Sequence, residues 1–250
     1  AEGVVDAHAL EKDQGYLVMV LEDFGGTSLD LLLPSMKMDL RTFLSLSVKV
    51  TGALEAIHRQ GVVHRDINPS HIVWNPENGL VKIIDFGLAA VLSGDSPGVY
   101  TPGLLEGTLA YVSPEQTGRI NRPVDCRSDL YSLGVTLYEM ATNRLPFAAG
   151  DALEMIHAHI ARTPVPPHEI NPEIPEMVSR IILKLMAKTA EERYQSAAGL
   201  KADLQKCLDQ CESTGRIEVF ETGRCDISGR LQMPQKLYGR EKEMETLLAG

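Results

Sequence analysis

Aromatic residues are scarce, at 5% of the 250 residues, which speaks against a platform that stacks nucleic-acid bases. Positive charge is short as well. There are 24 Lys and Arg against 34 Asp and Glu, a net charge of −10, so a broad nucleic-acid footprint is disfavoured. Long apolar runs are missing. The longest, such as Leu17–Leu21, fall far short of the ~20 residues that span a membrane. The first residues lack a basic stretch followed by an apolar one, so no signal peptide is read. The four cysteines, Cys126, Cys207, Cys211 and Cys225, lack the paired spacing of a zinc site. Cys207 and Cys211 lie one helical turn apart and are expected to pack on a helix face, in a protein of the reducing cytoplasm. What remains, 44% apolar and 23% charged residues, is ordinary globular composition with enough chain to bury a core unaided.

Along the chain, Tyr16–Leu21 is an apolar, β-rich run and reads as a buried strand. From Asp39, an N-cap candidate, apolar spacing predicts a long helix that ends at Gly61. Short β-like pieces follow at Val62-Val63, Ile72–Trp74 and Val81–Ile84, and a Gly/Ser/Pro-rich loop runs from Ser93 to Gly107. Leu130, Leu133, Leu137 and Met140 predict a buried helix. Asp151 with Glu154 predicts a capped start for another. Five prolines between Pro164 and Pro175 argue against helix there. Val178–Met186 is helical in its spacing, and Ser196 caps a last helix carrying Leu200, Leu204 and Leu208. Residues 212–236 show little periodicity and read as linker. His157 and His159, two apart on a helix, point to different faces and do not make a metal pair.

Two short strings carry the chemistry: His64-Arg65-Asp66, and 19 residues on from Asp66, Asp85-Phe86-Gly87. A carboxylate at a strand end, beside a glycine that frees the backbone, suits a metal ion. A second carboxylate nearby suits acceptance of a hydroxyl proton. Phosphoryl transfer needs that pair of roles.

With these strings the chain resembles the protein-kinase family. Further matches follow in order. Gly107–Tyr111 leads into Ser113-Pro114-Glu115, Ser128–Val135 matches the buried helix after it, and Arg193-Tyr194 lies near the end. Leu21-Glu22-Asp23-Phe24 resembles the hinge that touches adenine. The resemblance covers about residues 10–210. It implies an α+β kinase-like fold, mainly the helical C-terminal lobe with the last strands of the small lobe. It also implies ATP and magnesium as cofactors and a protein Ser/Thr hydroxyl as acceptor. By resemblance, Asp66 is the catalytic base, Asp85 the magnesium ligand, and Arg65 the clamp for a phosphorylated activation segment. The backbone of Glu22 and Phe24 would hold adenine. Thr108 would fix the substrate end of the segment, and Glu115, Asp129 and Arg193 would be structural. Ser93, Ser96, Tyr100 and Thr101 fall in that segment as candidate phosphorylation positions.

A narrower resemblance comes from residues 109–119, 151–161 and 185–196. They look like the N-terminal kinase of very long microbial signalling proteins that continue into an AAA-type ATPase module, a GAF sensor and a histidine kinase. On that basis residues 1–210 are a partial kinase domain, with a small-lobe remnant to about 24 and the large lobe over 25–210. Residues 211–236 are linker, and 237–250 begin the ATPase module. The expected partners are a protein substrate or those neighbouring modules, with no nucleic acid and no membrane segment.

The sequence also departs from the family pattern. It contains no G-x-G-x-x-G string and no strand lysine of the Val-Ala-Ile-Lys kind, and reads as starting just before the last two small-lobe strands. Asn68 stands where serine/threonine kinases carry lysine. Losing a charge contact of about 4 kcal/mol would slow transfer roughly a thousandfold, less whatever a neutral Asn68 hydrogen bond restores. His71 replaces the asparagine that holds a second magnesium. Imidazole is a poorer magnesium ligand, so His71 is expected to pack or to hydrogen-bond to the loop backbone, among the cofactor-side residues. The expectation is weak or no transfer by this chain alone, with a pseudokinase-like regulatory or partner-binding module as the alternative.

Overall fold

The computed structural model describes residues 3–13, 15–91 and 109–226. Strands β1 (Ala7–Asp13) and β2 (Tyr16–Leu21) form an antiparallel hairpin, with Lys12 opposite Leu17 and Asp13 opposite Tyr16. Gly15 turns it with a φ of 92°, a conformation that favours glycine. The reading of Tyr16–Leu21 as a buried strand needs correction. Its side chains are exposed, from 38% at Val20 to 76% at Tyr16. An apolar run asks for cover on both faces, and among the described residues no layer packs on either face of this two-stranded ribbon.

Beyond the hairpin the chain folds mainly as helices. After β3 (Thr27–Ser28) and the short α1 (Leu29–Leu32), α2 runs over Leu40–Arg59. Asp39 caps it as expected, its carboxylate accepting from the Thr42 N–H at 3.0 Å and the Thr42 hydroxyl at 2.7 Å. Gly61, with a φ of 71°, turns the chain after its end. Then come β4 (Val62–Val63), β5 (Ile72–Trp74), β6 (Val81–Ile83) and β7 (Ala90–Val91). β3, β5 and β6 make one antiparallel sheet in that order, and β4 pairs with β7. These short ladders fix the two loops that carry the chemical strings.

The C-terminal half is built on α3 (Cys126–Thr142), buried almost all round, as its apolar spacing predicted. Gly134 lets α6 (Glu176–Leu185) approach α3: a Cβ added there would sit 2.7 Å from that of Leu185. Between them lie α4 (Ala152–Ala161) and α5 (Pro167–Ile170). Asp151 caps α4 through the Glu154 N–H, while Glu154 reaches back to Gly150 rather than to the cap residue itself. The single turn of α5 departs from the expectation of no helix among the prolines. Pro167 sits in its first turn, where a missing N–H costs nothing. Ser196 caps α7 (Ala197–Thr214), which packs along α2 and buries Cys207 between them, with Cys211 half-buried beside it.

The segment after α7 returns to the lobe. Phe220 packs on the core, with the Lys206 ammonium 4.0 Å from its ring centre. The Gly223 N–H donates to Asp203, and Asp226 accepts from the Gln195 N–H and the Ser196 hydroxyl. Among the described residues no helix is long and apolar enough to cross a membrane.

Candidate active site

The loop between β4 and β5 is held from below by one buried carboxylate. Asp129, in the first turn of α3, accepts the backbone N–H of His64 at 2.8 Å and of Arg65 at 2.7 Å. The ring of His58 on α2 joins it at 2.8 Å. Arg65 has a φ of 68°, a costly conformation for a residue with a side chain, and these two N–H bonds hold it there. Gln116 adds a third tie, donating to the Arg65 carbonyl at 2.7 Å. The Arg65 Nε is buried with no hydrogen-bond partner among the described residues.

His64 links this loop to the Asp85 string. Its Nε2 donates to the Ile84 carbonyl at 3.1 Å, its Nδ1 accepts from the Asp66 N–H at 3.3 Å, and its ring meets Phe86 edge-on. Burial holds its pKa below the usual imidazole range, so it works as a neutral hydrogen-bonding strut.

Asp66, Asn68 and His71 then curl into a compact cluster. The Asn68 amide donates to the Asp66 Oδ1 at 3.1 Å and to the Asp66 carbonyl at 3.2 Å, while its Oδ1 accepts from the Ser70 N–H. Asn68 is only 3% exposed. The expected neutral donor to a phosphate is therefore turned inward, and braces Asp66 instead. His71 Nδ1 lies 2.8 Å from the Asp66 carbonyl and 3.4 Å from the Asp66 Oδ2. Its Nε2 lies 3.4 Å from the Asp85 Oδ2. Asp85 itself has a φ of 62°, and its Oδ1 accepts from the Gly87 N–H at 3.0 Å. A Cβ on Gly87 would come within 3.1 Å of that oxygen. Thus two carboxylates 19 residues apart flank one imidazole ring.

Just after β2, the Glu22 carboxylate pairs with Lys82 on β6 and accepts the Asp6 N–H at 2.7 Å. The Lys82 hydrogen bond, chiefly, lowers the Glu22 pKa. The Glu22 N–H goes to the Asp6 carbonyl, and the Phe24 carbonyl accepts from Asn75. The Glu22 carbonyl and the Phe24 N–H have no partner among the described residues.

Glu115 and Arg193 meet deep in the lobe as a two-pronged pair, at 2.7 and 3.0 Å. Arg193 also donates to the carbonyls of Ala187, Arg127 and Lys188, and Ser128 donates to Glu115. The structure thus gathers Arg65, Asp66, Asn68, His71 and Asp85 in one place, with Asp129 beneath. It sets Glu22 and Phe24 in the segment between β2 and β3, and Glu115 with Arg193 apart from both. Thr108, Ser93, Ser96, Tyr100, Thr101 and residues 227–250 lie outside the described residues. Three contributors were given no role from the sequence: His58, Gln116 and Lys82. Their partners lie 51 to 71 residues away in sequence, so no local spacing signals them. Among the described residues no three carboxylate, imidazole or thiolate groups converge as a ready-made metal cage.

Comparison with known proteins places the chain in a family. The protein kinase domain family matches residues 1–205, and the chain belongs to that family. A probable serine/threonine-protein kinase of Streptomyces coelicolor is 37% identical over 78% of this chain and 28% of its own length. The serine/threonine-protein kinase PknB of Mycolicibacterium smegmatis is 34% identical over 94% of this chain and 39% of its own. The hybrid signal transduction histidine kinase G of Dictyostelium discoideum is 30% identical over 84% of this chain and 9% of its own. The chain therefore spans well under half the length of these relatives. Its kinship is with serine/threonine protein kinases.

Proposed function

We propose that this domain moves the γ-phosphate of ATP to a Ser or Thr hydroxyl of a protein, and does so slowly. The observation that carries the reading is the approach of Asp66 and Asp85 to opposite nitrogens of His71. Asp66, braced by Asn68, accepts the hydroxyl proton of the acceptor. The Glu22 carbonyl and the Phe24 N–H pair with the adenine edge, and the buried Nε of Arg65 awaits a phosphate on the activation segment. Asp85 offers a hard, half-open carboxylate oxygen that fits a divalent cation on the phosphates, whereas the nitrogen of His71 fits magnesium poorly. When bound, such a cation neutralises phosphate charge. With Asn68 turned inward, no side chain at that position meets the transferred phosphate, so a slow rate is expected.

The test is transfer of labelled phosphate to a mixed Ser/Thr peptide library by this chain. Slow incorporation that Asp66→Ala reduces at least about a hundredfold supports the reading. Robust turnover, or incorporation indifferent to Asp66→Ala, overturns it.

A second reading, a nucleotide-sensing regulatory module without transfer, is favoured by the inward Asn68 amide alone. Thermal stabilisation by ATP with no transfer would select it. In either case the setting we propose is the kinase portion, residues 1–210, of a longer cytoplasmic signalling protein. The residues up to Asp226 pack back on the kinase lobe rather than serving as linker, so the connecting stretch would lie beyond them, with an ATPase module from 237. The match to a hybrid signal transduction histidine kinase across only 9% of that protein's length supports such a context.

A further inference from the structure

We propose that Gln116 is a positioning residue for Asp66. Its side-chain amide ties the peptide between Arg65 and Asp66 to residues 109–117, and transfer depends on that tie although Gln116 touches no reactant. This rests on the reading of Asp66 as the acceptor of the hydroxyl proton.

Gln116 lies in the helical turn Pro114–Thr117 and is 8% exposed. The partners of its amide fix which atom points where. The Ser113 N–H only donates, so the atom it meets at 3.2 Å is the oxygen, which the Ser113 hydroxyl also reaches at 2.8 Å. The Arg65 carbonyl only accepts, so the nitrogen faces it, at 2.7 Å.

That carbonyl and the Asp66 N–H belong to one planar peptide unit. The N–H end meets the His64 ring at 3.3 Å, a long contact, so the short bond from Gln116 is the stronger of these two grips. The preceding peptide is anchored separately, through the Arg65 N–H to Asp129 at 2.7 Å. Arg65 stands between the two anchors with its φ of 68°, a conformation that persists only while its surroundings enforce it. Released by Gln116, the peptide can rotate, and the Asp66 Cα at its far edge turns with it. A displacement of about 1 Å in a reacting group can cost roughly a hundredfold in rate. The other end of the tie is firm. Glu115, the neighbour of Gln116, is locked by Arg193 and Ser128, and Tyr111 donates to Glu139 at 2.6 Å. Gln116 therefore grips the Asp66 loop from a fixed base.

The test compares the full chain with two variants at pH 8. Gln116→Met removes both ties. Gln116→Glu keeps the shape and the acceptor for Ser113, but its carboxylate has no hydrogen for Arg65. Steady-state transfer to one acceptor peptide is read alongside amide hydrogen exchange by nuclear magnetic resonance, with folded fraction checked by circular dichroism. In both variants kcat is expected to fall at least about tenfold, with KM for ATP and peptide within about twofold of wild type. The Asp66 N–H should exchange at least about tenfold faster, while the His64 and Arg65 N–H groups, held by Asp129, keep their rates. Should Gln116→Met fail to fold, Gln116→Glu carries the test. A raised KM or a lower folded fraction, with kcat and Asp66 exchange unchanged, makes Gln116 a support of the fold alone and overturns the inference. Faster Asp66 exchange with transfer that is absent from wild type, or indifferent to Asp66→Ala, upholds the tie and overturns the reading of Asp66 beneath it.

Discussion

Two charged clusters lie within one lobe and are built on opposite principles. Around Glu115, Arg193 and Asp129, every charge is buried and met by a partner of opposite sign or by backbone groups. Around Asp66, His71 and Asp85, two carboxylates approach one imidazole ring, and the Asp85 side chain stands half open to water. Buried charges left unmatched are expensive, so the first cluster is committed to holding the fold. The second leaves one carboxylate side chain within reach of solvent. Burial marks the scaffold, and exposure leaves Asp85 open to a ligand.

That contrast gives its own tests. The largest effect is expected at the saturated cluster. Arg193→Met leaves Glu115 buried and unpaired and should cost about 3–5 kcal/mol in urea denaturation. Next comes pH. Burial, with the charge of Lys188 second, lowers the His159 pKa to about 4. Below pH 6.5 the unfolded chain takes up a proton that the folded ring refuses until about pH 4. Stability from this group is therefore complete above 6.5 and falls as pH drops toward 4, by up to about 3 kcal/mol. His159→Gln should flatten that slope in denaturation series across the range.

Asp129→Asn keeps the shape but weakens the acceptor for two N–H groups, at about 2–3 kcal/mol, read as a lower midpoint of thermal unfolding. At the open cluster the pattern should invert. Asp66→Ala is expected to change stability by less than about 1 kcal/mol while abolishing transfer. A large loss of stability there would break the contrast. The smallest effect belongs to the hairpin, where Leu17→Ser should stay within about 0.5 kcal/mol in the same denaturation assay.

Much of the helical lobe was legible because its signals are local. Asp39, Asp151 and Ser196 cap helices through N–H groups three residues on, and the spacing of Leu130, Leu133 and Leu137 states their burial directly. The two strings were legible for the same reason. What escaped depends on distance or on direction. The exposure of Tyr16–Leu21 depends on which layers meet the hairpin, and an apolar run states only what a strand would prefer. The Asn68 amide has the same composition whether it faces a phosphate or Asp66. Ser70 and the Asp66 carbonyl decide between them, through bonds that residue identity does not announce. The ties from Gln116 and His58 span 51 and 71 residues and exist only once the lobe has closed.

The return of the chain after α7 also has a mechanical meaning. Tension transmitted from residues beyond 226 would arrive first at Asp226, whose carboxylate grips the Gln195 N–H and the Ser196 hydroxyl at the head of α7. The load would then pass to Gly223 on Asp203, the residue that also takes the Tyr194 hydroxyl, next to Arg193. A pull on the tail would therefore act first on the cap of α7 and on Asp203. The segment that reads as a tether is fastened to the lobe at the head of α7 and at Asp203.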